Sequence, residues 1–274
     1  MLITPDISIC TVVQDGDHTV SQLLDSVKRT ADPAVVECIV VISGAVSDFA
    51  AALDHTYAEV KILENRAALG FSQARNQALR LATGRYFSFF DRDVIVEPQC
   101  LLRLCSFLDD HPETGMAVPR LTDANGSVLP SLRPFPSLLS ILLKHSGLGA
   151  FFRDTPRLAS LLNKEIRNET MPQETDWAVG SAVVFRRELI EEIGPPDGRY
   201  LPTYGDAEFC RRAKRAGWHI QLLPWAQAAH NVRERYNPFL VLDPDPLTAL
   251  DRQRTDPAQL LDAARYLLTG LRKR

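Results

Sequence analysis

Two rhythms of apolar residues alternate through the first hundred positions. Ile7 to Val13 is a β-branched run that ends in Gln14-Asp15-Gly16-Asp17, which predicts a strand and then a turn. Val20, Leu23, Leu24 and Val27 follow at helical spacing within Val20 to Arg29. Glu37 to Ile42 predicts a second buried strand closed by Ser43-Gly44, Phe49 to Leu53 a helix, and Val60 to Leu63 a third, short strand. Ser72 to Ala82 places Ala74, Ala78, Leu79 and Ala82 on one helical face, and Thr83-Gly84 ends it. Tyr86 to Phe90 then reads as a strand buried on both faces. Strands alternating with helices predict a parallel sheet with right-handed crossovers.

The second part of the chain is less regular. Cys100 to Leu108 predicts a helix and Met116 to Pro119 a strand, and Asp123-Ala124-Asn125-Gly126 fits a hairpin turn. Leu138 to Leu143 and Leu148 to Phe152 form an apolar segment flanked by Lys144 and Arg153. A core or lid helix and a membrane-surface contact over 138–152 are both open for it. A strand is expected from Asp176 through Phe185, a helix over Arg187 to Ile193, a helix over Asp206 to Ala216, and a strand over His219 to Leu223. Leu260 to Leu271, followed by Arg272-Lys273-Arg274, predicts a docking helix, with contact to a membrane surface over 260–274 as the second reading.

Composition narrows this picture. The 274 residues are 45% hydrophobic and 24% charged, which fits a soluble globular chain. A net charge of −3 offers no basic field for nucleic acid, so no nucleic-acid partner is expected. Five cysteines without paired spacing predict free thiols in a reducing compartment. No secretory signal follows Met1 and no apolar run reaches bilayer length, so a cytoplasmic location is expected, with peripheral contact at the inner face of the membrane through the two segments above.

The chemistry concentrates after the aromatic strand. Asp91 and Asp93 stand where Tyr86 to Phe90 emerges from the core, the edge at which open α/β sheets bind ligands. In extended chain the two carboxylates share a face and repel each other unless a cation or polar ligand separates them. Their hard oxygens suit Mg2+ or Mn2+. The plain alternative is a solvated turn.

Several ordered motifs together resemble one family. They are Leu69-Gly70-Phe71 with Ala74-Arg75-Asn76, Ala82-Thr83-Gly84, Asp91-Arg92-Asp93, Asp176-Trp177-Ala178-Val179-Gly180-Ser181, Gly205-Asp206-Ala207-Glu208-Phe209-Cys210 with Arg215-Ala216-Gly217-Trp218, and His230. Over Ile7 to His230 the chain resembles the inverting family-2 glycosyltransferases, in particular the bacterial rhamnosyltransferase-like branch. The resemblance implies the GT-A fold, a Rossmann-like α/β architecture with a mixed, mainly parallel central sheet flanked by helices. It divides the chain into a glycosyltransferase domain over 1–235 and a helical extension over 236–274. The domain would hold the nucleotide-sugar in 1–98 and the acceptor in 99–235.

The resemblance also assigns roles. Thr11, Arg75 and Asp91 would bind the nucleotide-sugar, and Asp93 with His230 would hold Mg2+ or Mn2+. Asp206 would be the catalytic base, while Trp177 and Gly180 would line the acceptor side. Each has a structural alternative: a helix N-cap for Asp206, core packing for Trp177, a bulge for Gly180, and a hydrogen-bonded histidine for His230. The implied activity is metal-dependent, inverting transfer of one sugar from a dTDP- or UDP-sugar, with dTDP-rhamnose among the donors. The acceptor is a glycan, lipid-linked or small-molecule hydroxyl.

The chain departs from the family at three places. Ile42-Ser43-Gly44 stands where Asp-Asn is usual, Gly205 replaces an acid before Asp206, and Glu208 replaces an aspartate. The Gln-x-x-Arg-Trp element of processive synthases is absent, which favours single-sugar transfer. The departures keep open a non-catalytic scaffold that binds a sugar nucleotide or a partner enzyme. A sugar nucleotidyltransferase ranks below it, because Thr11 to Asp17 contains no Arg or Lys.

Overall fold

The computed structural model describes residues 6–30, 35–45, 47–129, 131–145, 170–200, 202–231 and 257–271. The apolar stretch Leu148 to Phe152, the basic end 272–274 and the link 232–256 lie outside them.

Four parallel strands open the sheet: β1 (Ile7–Gln14), β2 (Val36–Ser43), β3 (Lys61–Asn65) and β4 (Tyr86–Phe90), in the order β3-β2-β1-β4. Helices α1 (Val20–Thr30), α2 (Phe49–Thr56) and α3 (Phe71–Leu81) connect them. Beyond β4 the pattern changes. Strand β10 (Ala182–Arg186) inserts antiparallel between β4 and β6 (Thr114–Thr122). β11 (His219–His230) then runs parallel to β6, and β5 (Val94–Val96) closes the edge antiparallel to β11. So β5, adjacent to β4 in sequence, lies at the far edge of the sheet. β8 (Gln173–Glu174) pairs with β11, and β7 (Leu132–Arg133) with β9 (Trp177–Ala178) forms a separate two-stranded ladder.

Side-chain alternation along β4 divides the core. Phe87 and Phe89 face the layer of α3, α6 (Arg187–Ile193), α7 (Pro202–Arg215) and α8 (Pro257–Leu271). Tyr86 and Phe90 face α1 and α4 (Cys100–Asp110) on the other side. Burying each such ring contributes about 1.5–3 kcal/mol. Ala74 and Ala78 let α3 approach closely, and Ala263 and Tyr266 dock α8 on the same layer. α8 also packs against α5 (Leu138–His145).

The Ala82-Thr83-Gly84 element has a local physical origin. Glu37 on β2 accepts hydrogen bonds from Ser8 Oγ at 2.5 Å and from the Thr83 amide at 2.5 Å, and its other oxygen meets Lys61 at 2.6 Å. A Cβ on Gly84 would stand 2.8 Å from the Ser8 amide nitrogen, so only glycine lets this turn pass over β1.

Three expectations change. The stretch from Asp176 to Phe185 is two strands broken at Val179 to Ser181, not one. The helix expected from Asp206 begins at Pro202, and the strand expected to end at Leu223 continues to His230.

Candidate active site

The site forms where β4 ends. Asp91, Arg92 and Asp93 are a turn and not extended chain, with the Val94 amide bonded to the Asp91 carbonyl at 3.0 Å. Strand alternation therefore does not bring the acids together. Pairing of β5 with β11 does: Val94 lies opposite His230, and the Asn231 amide reaches the Asp93 carbonyl at 3.1 Å. The imidazole Nε2 of His230 consequently sits 3.1 Å from Asp93 Oδ1 and 4.0 Å from Asp91 Oδ2.

This contact sets the charges. Burial disfavours the Asp93 carboxylate, but the hydrogen bond and charge of His230 outweigh it and hold the group below its usual range. Burial likewise disfavours protonated His230, and the Asp93 hydrogen bond with the charges of Asp91 and Asp93 hold its pKa above the usual value.

A second cluster lies beneath the first. Arg75, on α3, is 5% exposed and donates to the Gly180 carbonyl at 2.6 Å. The same guanidinium pairs with Asp91 at 3.3 Å and with Asp206 at 3.3 Å. Its Cζ lies 4.1 Å from the Phe71 ring centre and 4.5 Å from that of Phe89. Asp206 in turn accepts the Gly180 amide at 2.9 Å. Burial pushes its carboxyl up to about 6, against the opposing pull of Arg75. Asp206 is the fifth residue of α7, one turn inside the helix, so capping does not account for it. Gly180 explains the break between β9 and β10: a Cβ there would stand 2.6 Å from Asp206 Oδ1 and 2.7 Å from Arg75 Nη1.

The structure thus gathers Arg75, Asp91, Asp93, Gly180, Asp206 and His230, and places two expected residues elsewhere. Thr11 lies within β1, three residues before its end, and is 2% exposed, so its side chain is out of reach of a nucleotide at the strand edge. Trp177 is 1% exposed and donates its indole N–H to the Pro134 carbonyl at 2.8 Å. Its ring packs in the core and offers no face to an acceptor sugar. Arg75 bonds Asp91 and the Gly180 carbonyl, below the two acids.

The departures from the family have local uses. Ser43 Oγ accepts the Leu69 amide at 2.8 Å, and Ile42 is fully buried. Glu208 is buried and pairs with Arg212 at 2.9 Å, which ties α7 to the Gly194 and Pro195 carbonyls. Sequence reasoning missed two site contacts: the ion pair between Arg92 and Asp17, and the 2.9 Å bond from Asn231 to Gln22 on α1. Alternating charge along the Asp91-Arg92-Asp93 turn is the only hint of the first.

Among the described residues, no three His, Cys, Asp or Glu side chains close around a common ion position. Asp93 and His230, with Asp91 alongside, still offer two or three hard or imidazole donors. That set fits Mg2+ or Mn2+, which commonly takes one or two protein carboxylates and completes its shell with phosphate oxygens and water. No described helix is long and apolar enough to cross a membrane.

Residues 8–194 match the family described as Glycosyl transferase family 2. A curated relative, the N-acetylglucosaminyl-diphospho-decaprenol L-rhamnosyltransferase of Mycobacterium tuberculosis, is 28% identical over 186 residues, covering 64% of this chain and 60% of the relative. Among solved structures, GalNAc-T7 with UDP, GalNAc and Mn2+ aligns at a TM-score of 0.64 and 15% identity, over 91% of this chain and 47% of that one. Residues 1–349 of S. aureus TarS in complex with UDP-GlcNAc align at 0.58 and 16% identity, over 85% and 60%. At such identities the structural likeness speaks for the fold, and the fold is GT-A. With the family match spanning most of its length, the chain belongs to glycosyl transferase family 2.

Proposed function

We propose that this chain is an inverting, metal-dependent glycosyltransferase. It transfers one sugar from a dTDP- or UDP-sugar, with dTDP-rhamnose the first donor to try, to a hydroxyl of a glycan, lipid-linked or small-molecule acceptor. The observation that carries this reading is the placing of Asp206 and Asp91 on one Arg75 guanidinium, with Asp93 and His230 beside them. In the reaction, the acceptor oxygen bonds to the anomeric carbon as the bond from that carbon to the diphosphate breaks. The hydroxyl proton passes to an Asp206 oxygen, and the nucleoside diphosphate leaves with the bonding electrons. A carboxyl with a pKa of about 6 is ionised at neutral pH and a stronger base than an ordinary aspartate. Asp93 and His230 would hold the divalent ion, which when bound offsets charge on the diphosphate.

Residues 1–98 form the donor half in this reading, 99–235 the acceptor half, and 236–274 an extension. Work at the inner face of a membrane belongs to it too, supported by exposed Leu138, Leu139 and Leu142 on α5 and Leu261 and Leu268 on α8. Sedimentation with anionic vesicles tests that part, and recovery of all protein in the supernatant would remove it. The name of the mycobacterial relative, which specifies a lipid-linked acceptor and rhamnose, supports both.

A thermal-shift panel of nucleotide-sugars with and without Mn2+ tests donor and metal together. A donor at about 100 Kd stabilises the fold by about 2.7 kcal/mol. Buried Ile42 and the engaged Ser43 hydroxyl favour the scaffold reading, since neither offers a carboxylate to a base. Nucleotide-sugar binding without transfer to any acceptor would support that reading.

A further inference from the structure

Helix α1 grips the two strands whose ends carry Asp93 and His230. Gln22 and Ser26 stand four residues apart on it, one turn from each other on a single face. Gln22 Oε1 accepts the side-chain amide of Asn231, just past the end of β11, at 2.9 Å. Ser26 Oγ is fully buried, accepts the Val96 amide of β5 at 2.9 Å and donates to the Leu23 carbonyl at 2.7 Å. β5 is a three-residue strand at the edge of the sheet, and Ser26 satisfies an amide that its one strand neighbour does not. The two bonds thus hold both members of one antiparallel pair. That pairing sets Val94 opposite His230, and Asn231 donates its backbone amide to the Asp93 carbonyl at 3.1 Å. Asn231 is therefore held twice, by Asp93 through its backbone and by α1 through its side chain. A third tie leaves the turn before α1, where Asp17 pairs with Arg92 between the two acids.

We propose that Gln22 and Ser26 are positioning residues for the divalent-ion site: α1 clamps β5 to β11 and so fixes His230 against Asp93. The inference rests on the reading of Asp93 and His230 as ligands of Mg2+ or Mn2+, and it names two residues that touch neither. Its physical basis is preorganisation. β5 and β11 pair over only three residues, and a ladder this short opens readily at its ends. Opening separates the imidazole from the carboxylate, and part of the binding free energy of an ion then goes to closing the strands. The α1 contacts close them before the ion arrives. Because one bond holds each strand, neither can slide without breaking a contact to the same helix. The two bonds span 209 and 70 residues of chain, joining the helix after β1 to a site that the last strand completes.

The test needs neither donor nor acceptor. Gln22 is exposed, so Gln22→Met removes the acceptor at similar size and should leave the fold intact. Amide hydrogen exchange followed by NMR without metal reads the clamp itself. The Asn231 amide should exchange about fivefold faster in Gln22→Met, while the amides of β1 keep their rates. Mn2+ alone, titrated by water-proton relaxation, should bind the same variant about fivefold more weakly. In an Asn231→Leu background, Gln22→Met should change neither quantity further. Mn2+ affinity within about twofold of wild type, or an equal loss in both backgrounds, would overturn the proposal. Ser26→Ala should speed exchange at Val96 and weaken Mn2+ binding about tenfold. Lowered urea stability in Ser26→Ala with unchanged Mn2+ affinity would make Ser26 a core contact alone and count against the clamp; should that variant not fold, Gln22→Met decides. Absence of Mn2+ binding by the wild type would defeat the metal reading, whereas unchanged exchange at Asn231 in Gln22→Met would defeat the clamp, so the two failures are distinguishable.

Discussion

Gly180 and Asp206 are locked together by the smallness of one residue and the length of the other. The Gly180 amide donates to Asp206 Oδ2 at 2.9 Å, and a Cβ at position 180 would meet the second oxygen of the same carboxylate at 2.6 Å. Gly180→Ala must therefore displace Asp206, Arg75 or the backbone between β9 and β10. We expect a loss of about 1–3 kcal/mol in urea unfolding, the usual cost of overpacking. Transfer should fall at least about 100-fold, since a reacting group moved by about 1 Å costs that much. A stable Gly180→Ala protein with normal transfer would mean that the Asp206 position does not matter.

Asp206 predicts a pH dependence of definite sign. Its folded-state pKa of about 6 lies above the ordinary aspartate value of 3.8. The folded protein thus holds this proton more tightly than the unfolded chain does. The resulting stabilisation is complete below pH 4 or so and is lost as pH rises through about 6. Measured against Asp206→Asn, which does not titrate, wild-type stability should fall by about 3 kcal/mol between these limits. The kcat/KM of transfer should rise over the same interval, because only the ionised carboxylate accepts a proton. A pH-independent difference in stability between the two proteins would contradict the burial of this group.

Glu37 predicts the opposite slope. Burial disfavours its carboxylate, but hydrogen bonds from Lys61, Ser8 and Thr83 overcome this and hold the pKa at about 2. Its contribution is present above the unfolded value of 4.5 and is lost as pH falls through about 2. Glu37→Gln should cost about 1–3 kcal/mol at neutral pH, because Ser8 and the Thr83 amide lose a charged acceptor. The variant should also flatten the acid limb of the stability curve, which chemical denaturation at several pH values measures.

Trp177 should behave as a core residue. Trp177→Phe removes the bond to the Pro134 carbonyl and part of a fully buried ring, and should cost about 1–3 kcal/mol. Acceptor KM should stay within about twofold of wild type if packing is the whole role. A large rise in acceptor KM in a protein of unchanged stability would restore the acceptor-stacking role.

The repeating strand-helix pattern up to Phe90 is readable residue by residue, because burial on a strand recurs with period two and on a helix with period 3.6. Thr83-Gly84, Gly194 and Asp91-Arg92-Asp93 announce themselves for similarly local reasons: a turn, a helix end, and two acids too close to ignore. Family-level motifs carried the reading further, to Arg75, Gly180, Asp206 and His230 as members of one site. Their working relationships are another matter. Arg75 and Asp206 are 131 residues apart, and nothing in either segment says that they share a salt bridge. That depends on β10 entering the sheet antiparallel beside β4, which brings Gly180 and Ser181 over the end of the aromatic strand. His230 reaches Asp93 only because β5 leaves its sequence neighbour β4 and pairs with β11 at the far edge. Trp177 and Thr11 show the same limit from the other side, since residue type suited them to a ligand while packing buried both. Local periodicity encodes which residues turn inward, because that choice is made within a few positions of the chain. Which inward residues meet depends on long-range strand pairing, and the energy of that pairing is spread over the whole sheet and belongs to no single motif.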